Sequence, residues 1–305
     1  MRILVTGASG WIGSAVVPEL LGAGHEVVGL ARSEASAQRL EAAGAIVQRG
    51  DLDDPDGLAK AAADSDGVIH LAFQHEVAFG GNFAAAADAD RRAVESMGVA
   101  LADSDRPFVL ASGVLGLTSG RVATEDDGLV PSAEIRANPA GRRSATALLA
   151  LSLRGIGVRS SVLRLPPTVH GDGDNGFVAT LVGIARQRGV AGYVGEGTSR
   201  WPAVHRSDAA RLARLAVEAA PTGSVLHAVA DEGVPFREIA EAMGRHLGIP
   251  AVSITPAGAV EHFSHLGHFV AVDSPASAAA TRELLGWEPT GPSLLEDLGQ
   301  DHYYH

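Results

Sequence analysis

The sequence predicts an α/β fold, a Rossmann-type doubly wound parallel sheet with a smaller C-terminal substrate-binding annex. Two observations support this. Short apolar runs alternate with helical segments over the first two-thirds of the 305 residues, and a glycine-rich turn follows the first run. Parallel strands need crossover connections of this kind. We expect an NAD(P)-binding domain over 1–165 and a mainly substrate-binding region over 166–305, from which residues at about 204–230 return to the main domain.

The elements follow from the apolar runs and the breaks between them. Ser33 is expected to cap the second helix, and Pro18 is expected to kink the first one. The expected strands are RILVTG (2–7), HEVVGLA (25–31), AIVQRG (45–50), GVIHLA (67–72), PFVLAS (107–112), SSVLRL (160–165) and, late in the chain, VLHAVA (225–230). The expected helices cover 11–21, 33–44, 82–103, 142–154, 175–189, 235–247 and 276–285.

Composition excludes several classes of function. The net charge is −12, which argues against nucleic acid or an anionic membrane as partner. There is no cysteine, and the chain contains no run of 18 apolar residues. The N-terminal MRILVTG enters a strand directly and does not resemble a signal peptide. We therefore expect a cytoplasmic protein that acts on a small molecule.

The segment VTGASGWIG (5–13) has the spacing of a dinucleotide-binding turn. Gly7 permits the sharp turn, Gly10 lets the backbone approach a pyrophosphate, and Gly13 lets the helix pack on the sheet. The helix N-terminus then offers N–H groups to the phosphates. The cofactor-binding residues expected here are Gly7, Ser9, Gly10, Trp11, Ile12 and Gly13.

The end of the second strand favours NADP(H). An NAD site usually places a carboxylate there to bind the ribose 2′-hydroxyl, but this chain reads Ala31-Arg32-Ser33. Arg32 can hold a 2′-phosphate and Ser33 can add a hydrogen bond. Alternatively, Arg32 is a solvated residue at a helix start. Asp51, with Leu52 beside it, is placed to contact the adenine, although Asp51 also suits a simple turn.

Together these motifs resemble the extended short-chain dehydrogenase/reductases, the NAD(P)-dependent epimerase/dehydratase superfamily. The resemblance rests on TGASGWIG, on GDL (50–52), on VIHLA (68–72), on the strand that ends at Ser112, on LRLPPTVHG (163–171) and on VHRSDAA (204–210). It implies that Leu71, Ala72, Pro166 and Val169 also line the cofactor. It further implies a homodimer formed through the helices at 82–103 and 142–154.

The family carries a catalytic Ser-Tyr-Lys set, and this chain departs from it. Ser112 matches the serine that orients the substrate oxygen. The tyrosine position falls near 138–140 and the lysine position near 142–144, yet residues 107–151 contain neither Tyr nor Lys. Arg142 or Arg143 is expected to supply the cation that holds the nicotinamide ribose. By its sequence, the chain therefore looks like an atypical branch of the superfamily.

Histidines are the candidates to replace the tyrosine as proton donor. His170 follows the sixth strand and is the first choice, His75 follows the fourth strand, and His205 occupies a position that the family often fills with His or Tyr. For each of them, the alternative is a hydrogen-bonded structural histidine. His70, within a buried strand, is expected to be structural.

Aromatic residues predict the character of the substrate pocket. Phe73, Gln74, Phe177, Tyr193 and Trp201 are expected to contact the substrate and to disfavour a nucleotide sugar. Trp201 equally suits the core of the annex. The three histidines of HFSHLGH (262–268) lack supporting carboxylates, and no metal site is expected.

The sequence therefore predicts an NADPH-dependent reductase of a small carbonyl or imine compound. An imine can arrive already protonated, which reduces the need for a tyrosine. The alternative is a non-catalytic NADP(H)-binding redox sensor or regulatory protein, which the loss of both Tyr and Lys favours. A sugar-nucleotide epimerase or dehydratase ranks last, because it needs a group that cycles the proton.

Overall fold

A computed structural model describes residues 1–118, 120–129 and 139–305. A seven-stranded sheet forms its centre, and every pair of neighbouring strands in it is parallel. Its strands are β1 (Arg2–Thr6), β2 (Glu26–Ala31), β3 (Ile46–Arg49), β4 (Gly67–His70), β5 (Pro107–Gly113), β6 (Arg159–Leu165) and β10 (Ser224–His227). The order across the sheet is β10-β6-β5-β4-β1-β2-β3. This order reverses direction at β1, which confirms the predicted doubly wound α/β fold.

Helices cover both faces of the sheet. They are α1 (Gly13–Gly22), α2 (Glu34–Ala42), α3 (Pro55–Ala63), α4 (Phe83–Ala100), α5 (Pro139–Ser152), which continues as a 3₁₀ turn at Leu153–Ile156, and α7 (Arg206–Ala219). Buried apolar residues fill the two helix–sheet layers, with Ile3 and Val5 facing one layer and Leu4 and Val68 the other. The strands therefore read as continuous apolar runs, as expected for a sheet buried on both faces.

One predicted boundary changes in the first helix. It begins at Gly13 rather than at residue 11, because the residues before it form the turn. It also runs through Pro18 as one helix. Proline removes only the hydrogen bond that its own N–H would have made, and packing on the sheet holds the rest of the helix together.

The annex is built from two small sheets and short helices. β7 (Thr168–His170), β9 (Arg200–His205) and β11 (Asp231–Pro235) form one sheet, and β8 (Ala191–Val194) pairs in parallel with β12 (Ala251–Ile254). The helices are α6 (Phe177–Arg188), α8 (Phe236–Leu247), α9 (Ala259–Phe263), α10 (Ala279–Leu285) and α11 (Leu294–Asp297). Short 3₁₀ turns lie at Pro256–Gly258, Ser264–His268 and Asp301–Tyr303.

The segment after β4 is irregular. A helical turn at His75–Val77 is followed by a π-helical turn at Ala78–Asn82, in which Gly81 has a φ of +99°. This segment lies at the carboxyl end of the parallel strands, the edge at which ligands bind in open α/β sheets. It therefore belongs to the surroundings of any ligand at that edge.

Candidate functional site

The glycine turn between β1 and α1 is closed by contacts that only glycine permits. Gly7 has a φ of +68°, and a Cβ atom on it would lie 2.8 Å from the backbone nitrogen of Ala72. A Cβ atom on Gly13 would overlap the carbonyl oxygen of Gly7. The turn therefore brings the start of α1 directly against the end of β1 and the residues after β4. This close packing is what the dinucleotide-binding motif requires.

The turn also presents unused N–H groups. Among the residues that the structure describes, the backbone N–H groups of Trp11, Ile12 and Gly13 donate no backbone hydrogen bond. Ser9 and Ile12 are half-buried and Gly10 is exposed. Oriented N–H groups at a helix N-terminus bind phosphate well. The turn thus fits a pyrophosphate group.

Trp11 ties this turn to the annex. Its indole Nε1 donates a hydrogen bond to the carbonyl of Val169, at 2.8 Å, and the guanidinium of Arg206 lies 4.2 Å from its ring centre. The indole thus connects the turn to β7. The sequence motif predicted a role for the backbone of Trp11 in cofactor binding, whereas the contact with the distant β7 is made by its side chain. Pro166, between β6 and β7, is buried.

The residues after β2 and β3 form the other end of the crevice. Arg32 is 65% exposed, and its guanidinium lies 3.8 Å from the carboxylate of Glu76. Ser33 caps α2, as predicted, by accepting a hydrogen bond from the N–H of Ser36. Asp51 accepts a hydrogen bond from the N–H of Asp53, at 3.0 Å. Arg32 is therefore open to a ligand, whereas Ser33 and Asp51 already serve local turns.

Leu52 and the residues after β4 give this crevice its apolar walls. Leu52 is buried, and Leu71 and Ala72 are half-buried. The N–H of Leu71 donates to the carbonyl of Thr6, so the chain after β4 continues alongside the end of β1. These residues border the glycine turn from the side of β4.

Arg143 occupies the position at the end of β5 for which the sequence left two arginines open. Its guanidinium donates a hydrogen bond to the carbonyl of Ala111, next to Ser112, at 3.0 Å and lies 4.1 Å from the ring centre of Phe73. Burial lowers the pKa of Arg143. Arg142 instead points outward and pairs with Asp88, at 3.1 Å. Of the two arginines, Arg143 is thus the one whose guanidinium reaches the end of β5, whereas Arg142, predicted as a catalytic residue, pairs with Asp88 instead.

His75 belongs to the same group of side chains. Its ring centre lies 5.1 Å from that of Phe73 and 5.8 Å from that of Phe79, which in turn lies 5.8 Å from the ring of His265 in the annex. Desolvation by these neighbours, followed by the charge of Arg143, lowers the pKa of His75. The side chain keeps contact with solvent. Unlike His170, His75 can therefore exchange a proton with a ligand in the crevice.

The segment that carries His75 crosses the crevice. Gln74 donates a hydrogen bond to the carboxylate of Asp53 at 2.9 Å, beyond β3, while Phe79 reaches the annex. Gln74 is thus engaged away from Phe73, in contrast to its predicted contact with substrate.

His170, the first choice for a proton donor, is enclosed by protein and has no exposure to solvent. It is fully buried, and its Nδ1 lies 2.9 Å from the carboxylate of Asp297. Tyr303 donates to the same carboxylate, at 3.2 Å. The C-terminal segment thus covers His170. His205 caps α7 by accepting from the N–H of Ser207, and burial and then His170 lower the pKa of His205.

The predicted aromatic pocket is divided between core and surface. Trp201 is fully buried in the annex core against Phe236, at 5.1 Å between ring centres, so its prediction as a substrate contact is corrected. Phe177, half-buried, packs between Trp201 and Phe269. Tyr193 is also half-buried and lies under the guanidinium of Arg237, at 5.4 Å.

The described part of the chain contains neither a metal-binding cluster nor a helix that could span a membrane. No group of three or more His, Asp or Glu side chains there could hold a metal ion. None of the helices described is both long and apolar enough to cross a membrane.

Comparisons with known proteins agree with this geometry. A model of the NAD dependent epimerase/dehydratase family matches residues 3–228. An uncharacterized protein of Schizosaccharomyces pombe is 45% identical over 305 residues, which cover 100% of both chains. The 2-alkyl-3-oxoalkanoate reductase of Stenotrophomonas maltophilia is 28% identical over 271 residues, covering 83% of this chain and 77% of the reductase.

Among solved structures, the UDP-glucose 4-epimerase of Thermotoga maritima superimposes with a TM-score of 0.78 at 21% identity, covering 100% of this chain and 98% of the epimerase. At this identity the likeness concerns the fold alone. The family match extends over most of the chain and includes the glycine turn, the end of β4 and Ser112. The chain is a member of the NAD dependent epimerase/dehydratase family.

Proposed function

We propose that the protein is an NADPH-dependent oxidoreductase that reduces a carbonyl or imine group of a small molecule. The observation that carries this proposal is the grouping of Arg143, Phe73 and His75 at the carboxyl end of the sheet, where Arg143 donates to the carbonyl of Ala111, the residue before Ser112. A site without a catalytic role needs no such set of groups next to the place where a nicotinamide would lie. Relatives at 28% identity include reductases, which supports the same direction.

The preference for NADPH rests on the end of β2. That strand ends at Ala31, so no carboxylate follows it to accept from a ribose 2′-hydroxyl. Arg32 is exposed at this point and can pair with a 2′-phosphate. The hydroxyl of Ser33 caps α2 and contributes little more. Arg32 is therefore the residue that distinguishes NADPH from NADH.

Each residue near Ser112 has a separate task. The bound cofactor supplies the hydride. Ser112 orients the oxygen or nitrogen of the acceptor group, and Arg143 holds the nicotinamide ribose from the side of Phe73. His75 gives the proton that the reduced product needs, directly or through a water molecule. Because the pKa of His75 is lowered, only its small protonated fraction does so near neutral pH.

The test is NADPH oxidation, followed at 340 nm with a panel of ketones, aldehydes and cyclic imines. We expect turnover with at least one compound, and a loss of about 10²-fold or more in Ser112→Ala and His75→Ala. The rate should rise as the pH falls below about 6.5, where His75 gains its proton, and this dependence should disappear in His75→Ala. His305→Ala, at the exposed C-terminus, is the control.

Tight NADPH binding without turnover across a broad panel would contradict the enzymatic proposal. That result would favour a nucleotide-binding sensor.

A further inference from the structure

The chain between the end of β4 and the start of α4 is fastened at both ends. At the first end, Gln74 donates a hydrogen bond to the carboxylate of Asp53, at 2.9 Å. At the second end, the side chain of Asn82 caps α4 by accepting from the N–H of Ala85, at 3.2 Å. Residues 75–81 therefore form a strap that can change its path while both of its ends stay in place.

The backbone of the strap is irregular directly after Phe79. Gly80 and Gly81 follow this residue, and Gly81 has a φ of +99°, a value that residues with a side chain rarely adopt. Among the described residues, a Cβ atom at either glycine would lie in open space, so packing does not hold the backbone there. Two adjacent glycines of this kind are suited to act as a hinge.

The middle of the strap reaches the annex through an aromatic contact. The ring centre of Phe79 lies 5.8 Å from that of His265 and 5.8 Å from that of His75, on which the Phe79 ring stacks with 22° between the ring planes. Phe79 is nevertheless 48% exposed, and His265 is exposed as well. A contact between two exposed rings is weak, so it can open and close at little cost in free energy.

The annex side of this contact rests on a buried base. His265 belongs to the 3₁₀ turn Ser264–His268, in which Leu266 is fully buried. Phe269, directly after the turn, stacks on the first residue of α6, at 6.1 Å between ring centres. The turn begins at Ser264 with a φ of +55°, which is costly for a residue other than glycine and recurs at ligand-binding and switch regions. The annex thus presents His265 from a fixed position.

The strap lies at the nicotinamide end of the proposed site. The ring centre of His75, in the strap, is 5.1 Å from that of Phe73, and the guanidinium of Arg143 lies 4.1 Å from the centre of the same Phe73 ring. Arg143 in turn donates to the carbonyl of Ala111, at the carboxyl end of β5. Movement of the strap would therefore uncover the edge of the sheet at which a nicotinamide would lie.

We propose that Phe79 and His265 are positioning residues that hold the strap closed over the nicotinamide half of the cofactor. The inference rests on the proposed function, because that function places the nicotinamide at this edge. The strap opens when the two rings separate, and NADPH then enters or leaves the crevice. Its closure shields the reacting groups from water.

The rate at which NADPH leaves the protein tests this contact. Phe79→Ala and His265→Ala should each release bound NADPH about three- to tenfold faster, the change expected when one aromatic pair is lost. Because both substitutions remove the same contact, the double variant should release NADPH no faster than the single variants. Stopped-flow fluorescence of the reduced nicotinamide, with excess NADP⁺ as the chase, measures the rate.

Two control variants and a second ligand separate positioning from general stability. Phe79→Tyr keeps the ring and should release NADPH at the wild-type rate, as should His268→Ala, which removes an exposed histidine of the same 3₁₀ turn. The ligand 2′,5′-ADP contains only the adenosine half of the cofactor. Its affinity, measured by calorimetry, should be the same in every variant.

The chain contains no cysteine, which allows the contact to be closed covalently. A variant that carries both Phe79→Cys and His265→Cys can be bridged with a short bismaleimide after NADPH has bound. Bridging should stop NADPH release on the timescale at which the unbridged variant empties.

Unchanged release in both alanine variants, effects that add in the double variant, an equal weakening of 2′,5′-ADP binding, or undiminished release from the bridged protein would overturn the inference. If the wild type does not bind NADPH, the proposed function fails instead.

Discussion

Arg32→Ala tests which cofactor the crevice selects. The guanidinium lies beyond the last residue of β2, is 65% exposed and has Glu76 as its neighbour, at 3.8 Å. Because Glu76 is itself 91% exposed, it competes weakly with a bound phosphate. A 2′-phosphate would therefore find Arg32 almost free to bind.

The expected effect follows from this exposure. Hydrogen bonds to charged groups contribute about 1.5–3 kcal/mol, and solvent around Arg32 reduces this to about 1–2 kcal/mol. Arg32→Ala should thus weaken NADPH binding by roughly 5- to 30-fold. NADH has no 2′-phosphate, so its affinity should stay the same. Raising the salt concentration should weaken NADPH binding to the wild type more than to the variant.

The assay is a titration of the protein with each nucleotide, followed by the fluorescence of the reduced nicotinamide. Arg39→Ala, an exposed arginine later in α2, is the matched control and should change neither affinity. If Arg32→Ala leaves NADPH affinity unchanged, or weakens NADH as much, then Arg32 does not read the 2′-phosphate and the reasoning is refuted.

Three further predictions concern the turn and the annex. Gly13→Val should abolish NADPH binding, because the valine side chain would overlap the turn, whereas Gly22→Ala, at a position with open space around it, should bind normally. Calorimetry measures both affinities, and NADPH binding by Gly13→Val would contradict the geometry. Trp201→Ala should destabilise the fold by about 3–5 kcal/mol, measured by urea denaturation, and a cost below 1 kcal/mol would show that Trp201 is not a core residue. Burial alone would raise the pKa of Asp297, but its hydrogen bond from a buried histidine lowers that pKa, so the ionised carboxylate stabilises the fold above about pH 4. Asp297→Asn should therefore lower the Tm at pH 7, by an amount that shrinks toward pH 3. A difference in Tm that stays constant with pH would refute the pairing.

The sequence carried enough information for the sheet and for the glycine turn. Buried parallel strands read as apolar runs, and the tight approach of Gly7 and Gly13 requires glycine whatever the rest of the chain does. The cap at Ser33 was predictable for the same reason, because it depends only on residues within one helical turn. Features that depend only on neighbouring residues can be predicted from a short stretch of sequence.

The side-chain pairings of the site were harder to predict from the sequence. His170 follows a strand in the manner of a ligand-binding residue, but Asp297 and Tyr303, more than a hundred residues later, bury it. No repeating pattern in the sequence predicts a contact between residues so far apart. Likewise, Arg142 and Arg143 are the same type of residue, and only their positions around α5 direct one outward to Asp88 and the other to the carbonyl of Ala111.

Asp90 did leave a signal in the sequence. It lies between Ala86 and Ala93 on the spacing of four and three residues that continues to Met97, and all of these residues are buried. A charged residue on the apolar face of a helix indicates either a paired core residue or a functional one. The spacing could identify Asp90 as buried, but its partner His70 comes from another element, the strand β4.

The proposed function depends on a nicotinamide dinucleotide binding at the glycine turn. Isothermal titration calorimetry of the purified, nucleotide-free protein tests this most directly. We predict saturable binding of one NADPH per chain, with an affinity higher than that for NADH. Absence of heat with both nucleotides at millimolar concentration, for protein that melts cooperatively, would contradict the account.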